Sequence, residues 1–277
     1  MFIHEYSWFL VFWGLVTLLC FTEALWPGFD VHADRSRRWK VNFGLGILNG
    51  QIASLAPPLT VFSAIWAADH GIGALNIFES PLWLAIPVTL IVRSFAQYAF
   101  HRCAHFVPIL WRVHRVHHGD IHLDASSALR FHPLEMIAGL VFAIPFVVAF
   151  GLPPKILAGY ELAEIVMGLF THANICVPES IERSVRFLFV TPVIHRSHHS
   201  AKEAETNRNY SGVFTFWDRL FGTFHDVPAG TVRPARFGLE DVSPALAGDF
   251  FAQLRLQSDG QAFGRRELPQ ATPESGG

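Results

Sequence analysis

The sequence predicts an all-α integral membrane protein with four to five membrane helices and a cytoplasmic, histidine-rich helical cap. Three observations support this fold class. The 277 residues are 51% hydrophobic and only 16% charged, whereas about a quarter of the residues in a soluble domain are charged. The apolar residues are concentrated in runs of membrane-spanning length. Histidines recur at helical spacing after several of these runs, so the rings of each cluster would share one helix face.

Five apolar runs are candidates for membrane spans, because a helix needs about 20 apolar residues to cross a bilayer. The second run contains Pro57-Pro58, which predicts a kinked or broken helix. The fourth and fifth runs are short and are joined by Pro153-Pro154, so either two full crossings or a shallower hairpin remains open. The five runs are residues 7–26, 43–68, 81–100, 136–152 and 156–171.

Basic residues predict the orientation of these spans. The segment between spans one and two carries Arg35, Arg37, Arg38 and Lys40, which the positive-inside rule places in the cytoplasm. Spans two and three then cross the membrane outward and back, and spans four and five do the same. Each histidine cluster is therefore expected on the cytoplasmic face. We therefore expect a multi-pass protein, such as one of a bacterial inner membrane, whose histidine clusters face the cytoplasm.

Composition also predicts where the membrane domain ends. Residues 1–227 form the expected membrane-embedded domain, and residues 228–277 form a polar, proline- and glycine-rich C-terminal tail that is expected to be partly disordered. The three cysteines form no CxxC pair, which leaves zinc-finger and disulfide-framework proteins without support. A net charge of −2 gives no basis for nucleic-acid binding.

Nine histidines are the candidate metal ligands. Neutral imidazole binds iron, zinc, copper and nickel, and residues three and four apart on a helix can aim their rings at one point. One ion takes about four to six ligands, so nine rings predict two ions rather than one. The nine are His101, His105, His114, His117, His118, His172, His195, His198 and His199.

Other polar residues near these histidines are candidates for outer roles. A ligating imidazole usually needs an acceptor for its second ring nitrogen, and Glu135 or Asp124 can provide one. His132 and Asn174 are further candidates for contacts of this kind. Glu164 falls inside span five, where it either lines a polar pocket beneath the metals or bonds to another span.

The order of these residues resembles the fatty acid hydroxylase/sterol desaturase superfamily of integral-membrane di-iron enzymes. The resemblance covers about residues 90 to 225. Ser94 stands where the family often has an Asp, seven residues before the first motif histidine, and the segment before Asn209 also lacks a common Asp. The matching motifs are His101-Arg-Cys-Ala-His105, His114-Arg-Val-His117-His118, Leu129-Arg130-Phe-His132-Pro-Leu-Glu135, His172-Ala-Asn174, His195-Arg-Ser-His198-His199, Asn209-Tyr210 and Phe216-Trp217-Asp218-Arg219-Leu220-Phe221-Gly222-Thr223.

The resemblance implies a membrane oxygenase that hydroxylates or desaturates a lipid, such as a sterol or a fatty acyl chain, at an unactivated C–H bond. It implies two iron ions held by the nine histidines, with O2 as co-substrate and no catalytic side chain beyond the metal ligands. The lipid would enter from the bilayer, and a separate ferredoxin- or cytochrome-type donor with its reductase would supply electrons. We expect that donor to dock on Arg112, Arg115, Arg196 and Arg219. Within Trp217-Asp218-Arg219 we expect a structural ion pair and not a catalytic role.

Two other classes of protein remain open from the sequence. A zinc-dependent membrane hydrolase also uses histidine ligands, but it normally adds a carboxylate base as in HExxH, and no such motif occurs. A non-enzymatic metal transporter or membrane haem protein would place its ligands at mid-membrane in paired spans. The histidines of this chain are instead predicted to gather at one membrane face.

Overall fold

The computed structural model describes residues 2–30, 35–55, 59–228 and 231–255, excluding the side chains of residues 2–9 and 53–55. These residues form helices and loops, with two isolated β-bridges and no strand, which confirms the predicted all-α class. The helices are α1 (Phe2–Leu25), α2 (Arg35–Leu55), α3 (Leu59–Asp69), α4 (Ala74–Ile77), α5 (Leu82–Phe106), α6 (Pro108–His118), a 3₁₀ helix (Ala125–Leu129), α7 (Pro133–Phe150), α8 (Pro154–His172), α9 (Glu179–Val185), α10 (Pro192–His198), α11 (Glu203–Thr206), α12 (Phe216–Leu220), α13 (Pro244–Ala247) and α14 (Phe250–Gln253).

Two helices among the described residues, α5 and α7, are long and apolar enough to cross a membrane, and residues Leu10–Leu25 of α1 form a shorter apolar helix. Predicted span two is divided: α2 ends at Leu55 and α3 begins at Leu59, while the proline pair itself lies outside the described residues. The four to five crossings therefore remain a prediction, of which two helices have the required length and composition.

Glycines permit tight packing at the C-terminal end of α7, which is the end away from the histidines. Gly151 ends α7 in the left-handed region, with φ of 63°, and the chain then turns into α8. A Cβ at Gly73 would lie 2.2 Å from the backbone nitrogen of Gly151, so the loop before α4 can approach this turn only without a side chain. Pro154 then starts α8 at the first helical position, where its missing N–H costs nothing.

A buried ion network joins α2 to the loop after α6. The Arg38 guanidinium contacts Asp120 at 2.5 Å and Asp124 at 2.9 Å, and all three side chains are at most 3% exposed. Asn42, one turn further along α2, donates to Asp120 Oδ2 at 2.9 Å. Burial opposes the charge on Asp120, but Arg38 holds the pKa of that carboxyl well below its usual range. The network fixes the loop that follows His117 and His118.

A second buried arginine, Arg130, ties three segments to this network. It donates to the carbonyl oxygen of Val116 in α6 at 2.8 Å, to Asn42 Oδ1 in α2 at 3.1 Å and to the carbonyl oxygen of Ala247 in α13 at 2.8 Å. Burial lowers the pKa of Arg130 to about 10, so the group stays charged at neutral pH. Its three carbonyl and amide acceptors replace the water that a buried cation would otherwise need.

Helices α5 and α8 are joined by a further ion cluster. Arg93 contacts Glu161 at 3.3 Å and Glu164 at 2.9 Å. Of the two roles that the sequence left open for Glu164, the structure thus shows a bond to a neighbouring helix. Because α5 and α8 both end in candidate ligands, this cluster also fixes the position of His101 relative to His172.

Residues 231–255, which the sequence assigns to the tail, pack against the helices. Leu239, Val242 and Ala247 form an apolar cluster with Trp111 of α6. Phe250 and Leu254 lie against a second cluster, formed by α2 and α6. The domain boundary at residue 228 stays a prediction, and residues 256–277 of the expected tail lie outside the described residues.

We expect Arg38→Leu to destabilise the protein by about 3–5 kcal/mol, because it leaves two buried carboxylates without their cation. Thermal denaturation in detergent measures this effect. The matched change Lys40→Leu, on the exposed side of the same turn, should alter stability by less than about 0.5 kcal/mol. Equal denaturation midpoints for the two variants would contradict the role assigned to the network.

Candidate metal centre

The structure brings all nine predicted histidines together. Each comes from a helix end or a short helix: α5 supplies His101 and His105, α6 supplies three, α8 ends in His172, and α10 with the next residue supplies the last three. Within each of two groups the candidate ligand atoms lie within 4.8 Å of one another. The five-histidine group is His101, His105, His114, His118 and His198, and the four-histidine group is His117, His172, His195 and His199.

The ring nitrogens of the five-histidine group converge on a common centre. His114 Nε2 lies 3.1 Å from the Nε2 atoms of His101, His105 and His118. His198 Nε2 lies 3.0 Å from His101 Nε2. These five nitrogens come from three helices, so the separations depend on tertiary packing and not on helical spacing alone.

The four-histidine group has the same spacing. His172 Nε2 lies 3.2 Å from His117 Nε2 and 3.0 Å from His195 Nε2. His199 Nε2 lies 3.2 Å from His195 Nε2. At metal–nitrogen bonds of about 2.1 Å, neighbouring donors lie about 3.0 Å apart in octahedral geometry and about 3.4 Å apart in tetrahedral geometry. The observed separations are closer to the octahedral value.

Outward hydrogen bonds determine which ring nitrogen faces inward. In four rings of the five-histidine group, Nδ1 meets an oxygen acceptor, so Nδ1 carries the proton and the Nε2 lone pair points to the centre. The pairs are His101 with the Tyr210 carbonyl at 2.6 Å, His105 with Asn207 Oδ1 at 3.2 Å, His114 with Glu135 Oε1 at 2.6 Å and His198 with the Arg208 carbonyl at 2.7 Å.

The four-histidine group has fewer such partners among the described residues. His172 Nδ1 faces the Gly168 carbonyl, one turn back in α8, at 2.7 Å. His117 Nδ1 faces the Arg130 carbonyl at 3.3 Å. His195 Nδ1 is buried and has no hydrogen-bond partner among the described residues. The two groups are therefore oriented by different parts of the protein.

Burial favours the neutral form of several of these imidazoles. Desolvation lowers the pKa of His117, His118, His195 and His199 well below the usual value, and neighbouring rings lower it further. Desolvation also lowers the pKa of His198, to about 3. Neutral rings have free lone pairs, and lone pairs that face each other at about 3 Å repel unless a cation lies between them. The donor set thus fits two metal ions.

The predicted outer residues have different positions. Glu135 bonds directly to His114 Nδ1. Asp124 instead pairs with Arg38 and caps the 3₁₀ helix, and His132 caps α7 by accepting from the Leu134 amide. The side chain of Asn174 bonds to the backbone of residue 29. These last three residues hold the surrounding scaffold and make no direct bond to the nine rings in the described structure.

One expectation about a charged pair was wrong. Asp218 does not pair with Arg219: it accepts the amide hydrogens of Tyr210 and Ser211, while Arg219 donates to the Arg186 carbonyl. The sequence could not distinguish these roles, because the amides that Asp218 binds lie in a loop without a side-chain signal.

Two of the four arginines expected to dock the electron donor are buried. Arg115 is buried and paired with Asp241, and Arg196 is 1% exposed and donates to the carbonyls of residues 173, 175 and 232. Buried cations that are already bonded to a carboxylate or to backbone oxygens cannot form a docking surface. Of the four, Arg219 is exposed and Arg112 is partly buried.

Sequence reasoning missed the residues that orient the rings from outside the clusters, namely Asn207, Arg208 and Tyr210. Two of them act through backbone carbonyls, which any residue possesses, so no residue type reveals them. One signal was present in the sequence, the asparagine of Asn209-Tyr210: asparagine tolerates the left-handed region better than most residues, and Asn209 has a φ of 56° in the structure.

Comparisons with known proteins agree on one family. The sequence model of the fatty acid hydroxylase family matches residues 86–223. The ornithine lipid hydroxylase OlsE of Rhizobium tropici is 30% identical over 194 residues, which cover 70% of this chain and 56% of that protein. Human alkylglycerol monooxygenase is 32% identical over 131 residues, covering 47% of this chain and 28% of that protein.

A more distant relative is the rat cholesterol 25-hydroxylase, 25% identical over 150 residues, which cover 54% of this chain and 49% of that protein. The chain spans about half of the length of OlsE and of the rat protein, and a smaller share of the human one. No solved structure matches the chain.

The metal-free protein should lose stability as the pH falls below about 6.5. Unfolded histidines take up protons near that pH, whereas the buried rings stay neutral because their pKa is depressed. Each such ring should cost about 1.4 kcal/mol per pH unit below this point. Thermal denaturation between pH 8 and pH 5 tests this, and a denaturation midpoint that does not change with pH would contradict the burial of neutral rings.

Proposed function

The chain belongs to the fatty acid hydroxylase/sterol desaturase superfamily, and from this we propose that it is a membrane-bound di-iron oxygenase that hydroxylates a lipid, with O2 as co-substrate. The sequence left hydroxylation and desaturation open. The three relatives named above are hydroxylases or a monooxygenase, which supports hydroxylation. Their names include an amino-acid lipid, a glycerol ether and a sterol, so the substrate class we propose is a membrane lipid.

The observation that carries the proposal is the pair of all-imidazole groups. Five donors in one group exceed the four of a tetrahedral zinc site, and the Nε2 separations of 3.0–3.2 Å suit a higher coordination number. Neither group contains a carboxylate among the described residues, so the base that a zinc hydrolase normally needs has no counterpart next to the rings. Iron is therefore the metal that we propose.

The residues of this chain have three tasks in that reaction. The nine rings would hold the two ions through Nε2, and bound iron would supply the O2-dependent oxidation of a C–H bond. Glu135, Asn207 and the backbone carbonyls keep the Nδ1 protons of six rings on the outside, so the lone pairs of those rings stay directed inward. Burial of the rings excludes water, which limits side reactions and strengthens the electrostatic interactions inside the site.

Apolar surface next to the rings offers a route for a lipid. Phe106 and Ile109 follow His105 and are 52% and 55% exposed, and Leu134 at the start of α7 is 50% exposed. Phe106 is the last residue of α5 and Leu134 belongs to the first turn of α7, the two helices with membrane-spanning length. A lipid can thus approach laterally from the bilayer, and the shape of the apolar surface would select the reacting carbon.

We place the protein in a bacterial inner membrane as a multi-pass protein with the metal centre on the cytoplasmic side, as the basic residues before span two predict. A separate ferredoxin- or cytochrome-type protein would then deliver electrons from the cytoplasm. Arg102, Arg208 and Arg219 lie on the surface, and the first two belong to segments that contribute to the five-histidine group. Arg102 and Arg208 replace the buried Arg115 and Arg196 as proposed docking residues, and Arg219 is kept from the original set.

Lipid mass spectrometry of cells with and without the gene tests the proposed function. We expect a lipid whose mass increases by one oxygen only when the gene is present and O2 is supplied. His118→Ala should abolish this product and reduce the iron content, because it removes a ligand. The matched change His122→Ala should preserve both, since His122 is buried but lies outside the two groups.

Three results would contradict the proposal. These are purified protein that binds zinc and no iron after growth with iron, a haem absorption band, or oxygen-independent formation of the product. A product that has lost two hydrogens would agree with a di-iron oxidase, but it would show that the reaction is desaturation and not hydroxylation.

A further inference from the structure

One short loop segment, residues 207–210, contacts three of the five rings in the five-histidine group from outside. Asn207 Oδ1 lies 3.2 Å from His105 Nδ1, the Arg208 carbonyl 2.7 Å from His198 Nδ1, and the Tyr210 carbonyl 2.6 Å from His101 Nδ1. We propose that this segment, called the clip below, assembles the five-histidine metal site, with Asn207 and Asp218 as its positioning residues. The inference rests on the two metal sites of the proposed function.

The backbone of the clip is shaped by Asn209. Its φ of 56° turns the chain between two carbonyls, so that one reaches a ring on α10 and the next reaches a ring on α5. The Asn209 side chain fixes this conformation: Nδ2 donates to Ser197 Oγ at 3.1 Å and to the His225 carbonyl at 3.0 Å. Its Oδ1 accepts the His225 amide hydrogen at 2.8 Å. The clip is therefore held at its centre.

Asp218 holds the end of the clip through a single peptide plane. Its Oδ2 accepts the amide hydrogen of Ser211 at 2.9 Å. That N–H and the Tyr210 carbonyl belong to the same planar peptide, and the Tyr210 carbonyl is the acceptor of His101 Nδ1. Carboxylate, peptide and imidazole thus form one hydrogen-bonded chain, in which each bond polarises the next.

The bonds around Asp218 allow it no other orientation. Its Oδ1 accepts the Tyr210 amide hydrogen at 2.8 Å and the Thr223 hydroxyl at 2.7 Å, and the residue is 1% exposed. Glu135 acts on His114 directly, whereas Asp218 acts on His101 through the peptide. This arrangement gives His101 a carboxylate partner even though no carboxylate touches its ring in the described structure.

The four-histidine group does not use the clip. Its outer acceptors are the carbonyls of Gly168, in α8, and Arg130, after the 3₁₀ helix. Disturbing the clip should therefore weaken one metal site and leave the other intact. A residue that served only general folding would weaken both sites together.

Anaerobic Fe2+ titration of the purified, metal-free protein against a competing chelator tests the proposal. For the full-length wild type we expect two ions per chain. Asp218→Asn and Asn207→Ala should each lower the affinity of one ion by about 10–100-fold, the usual effect of removing an outer partner, and leave the second affinity unchanged. Asn207→Asp, which keeps an acceptor for His105, should restore the first affinity.

The control variant is Lys202→Ala, which changes an exposed side chain just before α11. It should alter neither affinity. Thermal denaturation of each metal-free variant is measured in parallel. Unchanged affinities in both Asp218→Asn and Asn207→Ala, or an equal loss at both sites, would overturn the clip. If Asp218→Asn does not fold, the comparison of Asn207→Ala with Asn207→Asp tests the proposal by itself. A wild type that binds no iron would instead contradict the proposed function.

Discussion

Nine imidazoles packed into a water-poor interior impose the main physical constraint on this protein. Nitrogen lone pairs that face each other at about 3 Å repel, and protonation would place several like charges in a medium of low polarity. Two cations relieve the repulsion, but only if every ring is already held in the correct tautomer and direction. In the described structure, outward hydrogen bonds to Glu135, Asn207 and backbone carbonyls meet this requirement for six of the nine rings.

The scaffold explains how rings from distant segments can meet. α5 and α8 end in histidines, and the Arg93 cluster holds these helices together within their apolar portion. Buried Arg38 and Arg130 fix the loop after α6 and the residues that follow it. The protein loses much stability when one partner of a buried ion pair is missing. The contacts around the metal centre therefore specify one arrangement.

The sequence predicted the helical class and the nine candidate ligands, because helical spacing is visible in a single chain. Their division into two groups was not predicted, although part of it follows from geometry. Residues four apart on a helix stay in one group, as His114 and His118 do, and as His195 and His199 do. His117 joins the other group although it is adjacent to His118, since successive residues on a helix point in different directions.

Other features lay beyond single-sequence reasoning for a common reason. The carbonyls of Arg208 and Tyr210 carry no residue-specific signal, and the burial of Arg115 and Arg196 depends on contacts with segments far along the chain. Predicted span two also differs: α2 starts at Arg35, eight residues before the apolar run, because Arg38 and Asn42 find buried polar partners there.

Iron K-edge X-ray absorption of the iron-loaded protein measures the convergence of these rings most directly. Nine imidazoles shared by two ions predict four or five histidine nitrogens per iron at about 2.1–2.2 Å, with the multiple-scattering pattern of imidazole. A spectrum with at most two imidazoles per iron, or one dominated by oxygen or sulfur ligands, would contradict the two groups.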